Sequence, residues 1–407
     1  MPEKNKNRTQ RLFPKTVNGF VDAMESLEIC ADIRWNAFTE SPVKVSGTGA
    51  VSAVTDATIA EIKAEIEEKY KLFNGERFNE AWRIFCADPK RVYHPIKDRI
   101  ERIMWDGKPH ITYVLQRVLK CDDAPYTKEC ARLLFSGGLR RLYEPGCKFD
   151  SVIVLIGTQQ GEGKSTFLRW LALNDDWYGT LKTFDYQKGA EALSGKWIVE
   201  IEELSALKKS EVEEVKAFIS QQRDHYRRPY ERTTSDIPRK CIMAGTTNSM
   251  QFLSDPTGNR RFLPIEVHSR GETEIYPNEK EIRAELEQCW AEAYARYRQN
   301  DAFMLPTPDR DLTDRIISEQ ERATVNDPNL DIVKSFLEGK EATCVLEIYY
   351  DALGHASFEH PTKPERNEIG VLLQRSGWKL STLKYPYDKP TPSRQHKWVR
   401  ADAVDED

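Results

Sequence analysis

The sequence predicts an α/β protein built on a parallel sheet, with a helical region before the sheet and a small winged-helix-like module after it. Three observations carry this. Val152–Ile156 is an unbroken apolar run, followed by a glycine-punctuated turn and a helical pattern; this is how a strand buried on both faces feeds a phosphate-binding loop. Two further apolar runs, at 197–201 and 241–245, end in polar side chains, as expected of more buried strands. Beyond residue 326 the pattern gives three short helices and an alternating tail, the succession of a winged helix.

At 407 residues the chain has room for two or three domains. The expected division is 1–90, a mixed α/β region without visible chemistry; 91–149, a helical domain; 150–325, the phosphate-loop core with a helical lid; and 326–407, the terminal module. A net charge of −5 excludes a globally basic protein, so any nucleic-acid contact must use a local surface. No window approaches the ~20 apolar residues of a membrane span, and Met1-Pro-Glu-Lys4 opens no apolar signal core. A cytoplasmic protein is expected. The eight cysteines are scattered without a Cys-x-x-Cys pair and the seven histidines lack metal spacing, which points to reduced thiols and not to zinc.

In chain order, residues 57–72 predict a helix capped by Asp56 or Thr58, with Thr58 and Glu61 as a capping box and Ile59, Ile62, Ile66 and Tyr70 as its stripe. Tyr93-His-Pro95 leads into a helix expected to end at Trp105-Asp-Gly107, with Asp106 as a turn residue. A second helix, 126–143, stops at Glu144-Pro-Gly146.

The phosphate loop comprises Gly157, Thr158, Gln159, Gln160, Gly161, Glu162, Gly163, Lys164, Ser165 and Thr166. Thr158 stands where the usual spelling has its first glycine, and Gly157 sits one position early. The glycines let backbone N–H groups converge on an anion, and the helix N-terminus adds partial positive charge. Lys164 is expected to reach the β- and γ-phosphates of ATP, and Ser165 to bind Mg²⁺. The next strand ends in Glu200, Glu202 and Glu203. Adjacency assigns Glu202 to the metal and Glu203 to the attacking water, while Glu200 lies inside the strand and can also face the site.

A helix is expected from Ser210, capped with Glu213, burying Val212, Val215, Phe218 and Ile219 and carrying Lys216 at the stripe's edge. Residues 223–240 then hold six Arg or Lys and two Tyr, read as a basic hairpin or long loop. Arg223, Arg227, Arg228, Tyr230, Arg232 and Arg239 suit phosphate contact and base stacking; a solvated loop paired to Asp224, Glu231 and Asp236 is the alternative. Asn248 closes the third apolar run, where its amide can orient water against a γ-phosphate. Arg260 and Arg261 precede another strand. Inserted into a neighbouring copy's site, either would stabilise phosphoryl charge; a strand-capping ion pair is the alternative. Residues 279–297 predict a lid helix, and 331–338, 345–353 and 368–376 the helices of the last module. Its hairpin offers Lys379, Lys384, Arg394 and Lys397 to DNA backbone, or serves packing alone.

This order of parts resembles the core of superfamily 3 helicases, an AAA+-like group of viral and plasmid replication ATPases. More closely, the sequence looks like the virulence-associated protein E family of phages, prophages and mobile islands. The residues that carry the likeness are Gly161-x-Gly-Lys-Ser-Thr166, Lys196-Trp-Ile-Val-Glu-Ile-Glu-Glu203, Lys216-Ala-Phe218, Arg228-Pro-Tyr230, Gly245-Thr-Thr-Asn248 and Asp255-Pro-Thr-Gly-Asn-Arg-Arg-Phe262. Tyr93-His-Pro95 and Trp105-Asp-Gly107 match upstream, and the likeness spans roughly residues 90–268. It implies an ATP-dependent replication ATPase or helicase in a bacterial host cell, bound to single- or double-stranded DNA. A homo-oligomeric ring, with a hexamer as candidate, and a primase or other replication protein would be its partners. It shifts Lys216, Arg228 and Tyr230 towards DNA, and Arg260 and Arg261 towards the trans role. Its acids match Glu200 and Glu203, against the adjacency argument, so all three glutamates stay open. The rival reading is an ATP-switched replication initiator or regulator that does not unwind DNA. A phosphate-loop kinase is disfavoured by the basic hairpin.

Overall fold

The computed structural model describes residues 13–157, 161–204, 209–226, 235–253, 259–268, 278–305, 307–308, 312–324, 328–391 and 393–402. It is a mixed α/β structure with a parallel sheet. The N-terminal part contains α1 (Val17–Glu25), β1 (Ile33–Asn36), β2 (Ser41–Val45), β3 (Val51–Ala53), α2 (Asp56–Tyr70), α3 (Gly75–Ala87) and β4 (Val92–Tyr93). Its sheet runs β3-β2-β1-β4. Phe20, Met24, Ile33, Ile62, Ile66, Phe78 and Phe85 form its core. The cap of α2 is Thr55, whose hydroxyl accepts from Thr58 N–H at 3.3 Å, and not Asp56 or Thr58. A β-region residue just outside the helix suits the cap role better than one already in the first turn. The last strand lies past residue 90, since Trp35 pairs with Val92.

Helices α4 (Pro95–Arg102), α5 (Val114–Leu119) and α6 (Pro125–Tyr143) follow. His94 caps α4 with proline at its first turn. The helix ends at Arg102, before Trp105, and Asp106 accepts from Lys108 N–H at 2.9 Å as a turn residue. These helices share one core with the central sheet. Trp197 and Trp290 pack tilted against each other with centroids 4.3 Å apart, and their indole N–H groups donate to Gly138 O and Leu171 O.

The central sheet holds β5 (Val152–Ile156), β6 (Tyr178–Thr180), β7 (Ile198–Ile201), β10 (Ile242–Thr247) and β11 (Phe262–Glu266) in the order β11-β5-β10-β7-β6. Every pairing is parallel. Strands β5, β7 and β10 are buried throughout, which explains their continuous apolar sequence. Between them lie α7 (Lys164–Leu171), α8 (Tyr186–Ala192) and α9 (Lys209–Ile219). Because α9 already includes Lys209, Ser210 sits within its first turn and is not its cap. Strands β8 (Arg223–Tyr226) and β9 (Ser235–Pro238) pair antiparallel as a separate ribbon. Helix α10 (Glu279–Arg298) begins with an Asn278–Glu281 capping box, and α11 (Thr313–Arg322) packs near β11, with Gln320 donating to Phe262 O at 2.9 Å.

The last part contains α12 (Pro328–Leu337), β12 (Ala342–Thr343), α13 (Val345–Glu347), α14 (Lys363–Arg375), β13 (Trp378–Tyr387) and β14 (Ser393–Arg400). The expected 345–353 helix is α13 continued by a π-turn over Ile348–Ala352. Helix α14 starts at Lys363, ahead of the expected 368, because Thr362 and Glu365 make a reciprocal capping box. Strands β13 and β14 form the expected hairpin, with β12 added along its edge.

Candidate active site

The carboxyl ends of β5, β7 and β10 open on one cleft of about 700 Å³. In open parallel sheets ligands bind at carboxyl ends where the strand order reverses; here β5 lies between β10 and β11, while the next strand in sequence lies at the far edge. The cleft is lined by Gly161, Glu162, Gly163, Lys164, Ser165 and Thr166, by Glu200, Glu202 and Glu203, and by Thr246, Thr247 and Asn248. Leu181, Lys182 and Phe184 complete its wall. The sequence-based expectation did not include them. Thr158, Gln159 and Gln160 lie outside the described residues.

Lys164 is the first residue of α7 and is buried to 8% exposure. Its Nζ donates to Asn248 Oδ1 at 3.0 Å and to Glu162 Oε2 at 3.1 Å. Gly161 and Gly163 have φ of +89° and +82°, a left-handed backbone that side chains with a Cβ resist. Thus the lysine from one loop and the asparagine from the end of β10 converge, as their sequence positions suggested.

The acid beside Ser165 is Glu200. Ser165 Oγ donates to Glu200 Oε1 at 2.7 Å. Thr246 on β10 donates to the same oxygen at 2.6 Å, and Tyr178 on β6 donates to Oε2. Glu200 has no exposed surface. Three hydroxyls from three elements thus satisfy a buried carboxylate that would otherwise be costly. Burial, and then the Glu200 carboxylate, push the Tyr178 phenol well above its ordinary value, so it remains a donor. Adjacency in sequence had set Glu202 at the metal. Glu200 lies within β7 and is buried, whereas Glu202 and Glu203 follow the strand's last residue, Ile201, and are exposed at the cleft. Glu203 has φ +50°, an uncommon conformation for a residue with a side chain. Neither Tyr178 nor Thr246 had been singled out as a partner of the acidic strand.

The expected DNA-contacting residues separate. Arg223 is exposed on β8 and pairs with Asp236. Arg239 is buried: its guanidinium holds Asp224, and Nη1 donates to Phe218 O at 2.7 Å. Lys216 is also buried and meets Glu213 at 2.8 Å. These two side chains face the protein and offer no surface to DNA, so they correct that expectation. Alternation along a strand and the 3.6-residue turn of a helix put them on inner faces. Arg227, Arg228, Tyr230 and Arg232 lie outside the described residues. Lys240 donates to Ala37 O and Phe38 O, both at 3.0 Å, and pairs with Glu40, tying the N-terminal part to the core.

Arg260 and Arg261 precede β11, whose Phe262 pairs with Val152 at the start of β5. They therefore lie at the amino ends of the strands, whereas Lys164 lies past the carboxyl end of β5. Arg261 donates to Ser220 Oγ at 2.8 Å and approaches Asp150 at 3.9 Å. Arg260 is exposed and makes no ion pair among the described residues.

Against known families, the virulence-associated protein E-like domain matches residues 100–324, more than half of the chain. The chain belongs to the virulence-associated protein E-like family. This match starts within α4 and ends after α11, so for this VapE-like chain it takes in α5 and α6, the whole cleft and α10. No curated protein matches. Among solved structures, the A form apo structure of the NrS-1 C-terminal region aligns with a TM-score of 0.48 and 12% identity, over 95% of this chain and 100% of that one. A second apo structure of that region gives 0.48 and 12%, over 90% and 95%. No helix among the described residues is long and apolar enough to cross a membrane.

Proposed function

We propose that this VapE-like chain is a superfamily 3-type ATPase, hydrolysing ATP with Mg²⁺ to drive DNA binding, translocation or unwinding in the replication of a phage or mobile element. One observation carries the reading: Lys164 and Ser165 from one loop meet Asn248 and Glu200 from two neighbouring parallel strands. The sheet order β11-β5-β10-β7-β6 supports an AAA+-like core.

The donor set suits a hard divalent cation. The described residues contain no cluster of three His, Cys, Asp or Glu, and Mg²⁺ is usually held by one or two protein oxygens together with phosphates and water. When bound, the ion supplies charge neutralisation between phosphate oxygens. The Ser165 hydroxyl donates its hydrogen bond to Glu200, which leaves the oxygen's lone pairs to face a cation. Lys164 neutralises the terminal phosphates. Glu203 polarises the attacking water, with Glu202 beside it, and Asn248 orients that water against the γ-phosphate. Arg223, Arg227, Arg228, Tyr230 and Arg232 are the proposed DNA contacts, and the β13–β14 hairpin, with Lys384 and Arg394 exposed, acts as the wing of a winged helix.

The test is steady-state ATP hydrolysis with and without DNA at two salt concentrations. Replacing Lys164 by Ala is expected to abolish turnover with the fold retained by circular dichroism. Turnover near the wild-type rate would sink the proposal. Salt-sensitive stimulation by DNA is the expected signature of phosphate contacts.

A further inference from the structure

We infer that Glu162 sets the affinity of the phosphate loop: its carboxylate occupies the place beside Lys164 that a terminal phosphate would take, and must leave before nucleotide binds. The inference rests on the proposed ATPase reading. Glu162 lies between the two left-handed glycines of the loop, and its side chain is only 4% exposed. A glutamate in a surface loop ordinarily points into water, because a buried carboxylate is costly unless paired. Here the ammonium of Lys164, 3.1 Å from Oε2, pairs with it.

Gly157 explains how this fits. A Cβ at that position would overlap Glu162 Oε2 and crowd Lys164 Nζ. Only glycine lets the carboxylate and the ammonium lie against the backbone where β5 enters the loop. The glycine that sits one position early in the motif therefore makes room for the internal pair. Carboxylate and phosphate oxygens compete for the same ammonium protons. A phosphate that reaches Lys164 finds Glu162 there first, and every phosphate ligand's apparent affinity drops by the same factor.

The experiment is calorimetric titration of the full-length protein with ATP, and separately with inorganic pyrophosphate, for wild type, Glu162→Gln, Glu162→Ala and Lys164→Ala. Both Glu162 variants are expected to bind ATP and pyrophosphate about tenfold more tightly, the scale of losing one charge-assisted hydrogen bond from the competing state. Lys164→Ala is expected to lose binding. Unchanged or weaker affinity in both Glu162 variants, with Lys164→Ala still defective, would overturn the inference and leave the ATPase reading standing. Absence of ATP binding in wild type and in both Glu162 variants would overturn the two together.

Discussion

His94 caps α4 through Nδ1, which accepts from Lys97 N–H at 3.2 Å. Burial, then the charges of Lys97 and Lys240, hold its pKa down to about 3. The unfolded chain takes up this proton near pH 6.5 and the folded one does not, so between those values the unfolded state binds more protons. Stability from this site is present above about pH 6.5 and falls as the pH drops towards 3. His110 has the opposite sign. Burial opposes its charge, but Asp106 at 2.9 Å and Glu285 at 3.0 Å outweigh that and raise its pKa. Its contribution is full below the unfolded value and is lost as the pH rises through the raised one. Chemical denaturation at pH 5, 6.5 and 8 checks both. His94→Asn keeps a capping side chain and is expected to lessen the loss between pH 6.5 and 5. His110→Gln is expected to destabilise more at pH 5 than at pH 8. A wild-type-like pH profile in either variant would refute its assignment.

The β8–β9 ribbon shows how an element turns basic sequence into internal structure. Arg239 and Asp224 have side-chain exposures of 2% and 6%, and Arg239 also lies 4.7 Å over the Phe218 ring. Breaking such a pair leaves an uncompensated buried charge. Asp224→Ala is thus expected to destabilise by about 3 to 5 kcal/mol, with the urea midpoint falling in proportion, while Arg223→Ala, on the exposed face, is expected to shift it by less than about 1 kcal/mol. Similar midpoints would show that the two arginines are equivalent surface charges. The sequence told them apart poorly, because composition reports the number of cations and not the face each takes. The same limit applies at the candidate active site. Lys164, Ser165 and Asn248 were legible because a strand, a glycine-rich turn and a helix start follow one another locally. Glu200 was left open, and Tyr178 and Thr246 were not connected to it, because they meet only when β6, β7 and β10 become neighbours. The long helices α2, α6 and α10 were readable from their periodicity and stop signals. Their caps were less so, since Thr55, rather than the more evident Asp56, took the role.

For the whole molecule, the position of the arginine pair raises the question of assembly. Arg260 and Arg261 lie at the amino-terminal edge of the sheet, and Lys164 lies past the carboxyl end of β5. A strand of that length separates the two edges by roughly 15 Å, so neither arginine serves the cleft of its own chain. Arg261 is held by Ser220 and Asp150, whereas Arg260 is exposed. If copies form a ring, Arg260 is the side chain presented to a neighbour's phosphates. An arginine supplied in this way is worth about 10³ to 10⁵ in rate. Arg260→Ala is accordingly expected to lose most ATP hydrolysis while binding ATP as well as wild type. Mixing decides whether the role is in trans. Lys164→Ala chains retain Arg260 but lack a working loop; Arg260→Ala chains retain the loop but lack the arginine. Each is expected to be nearly inactive alone. Combined on DNA, they form interfaces in which an intact loop faces an intact Arg260, and hydrolysis is expected to reappear at a fraction of the wild-type rate. No recovery on mixing, with Arg260→Ala alone as active as wild type, would mean that the residue is only a surface charge and that the cleft works without a neighbour.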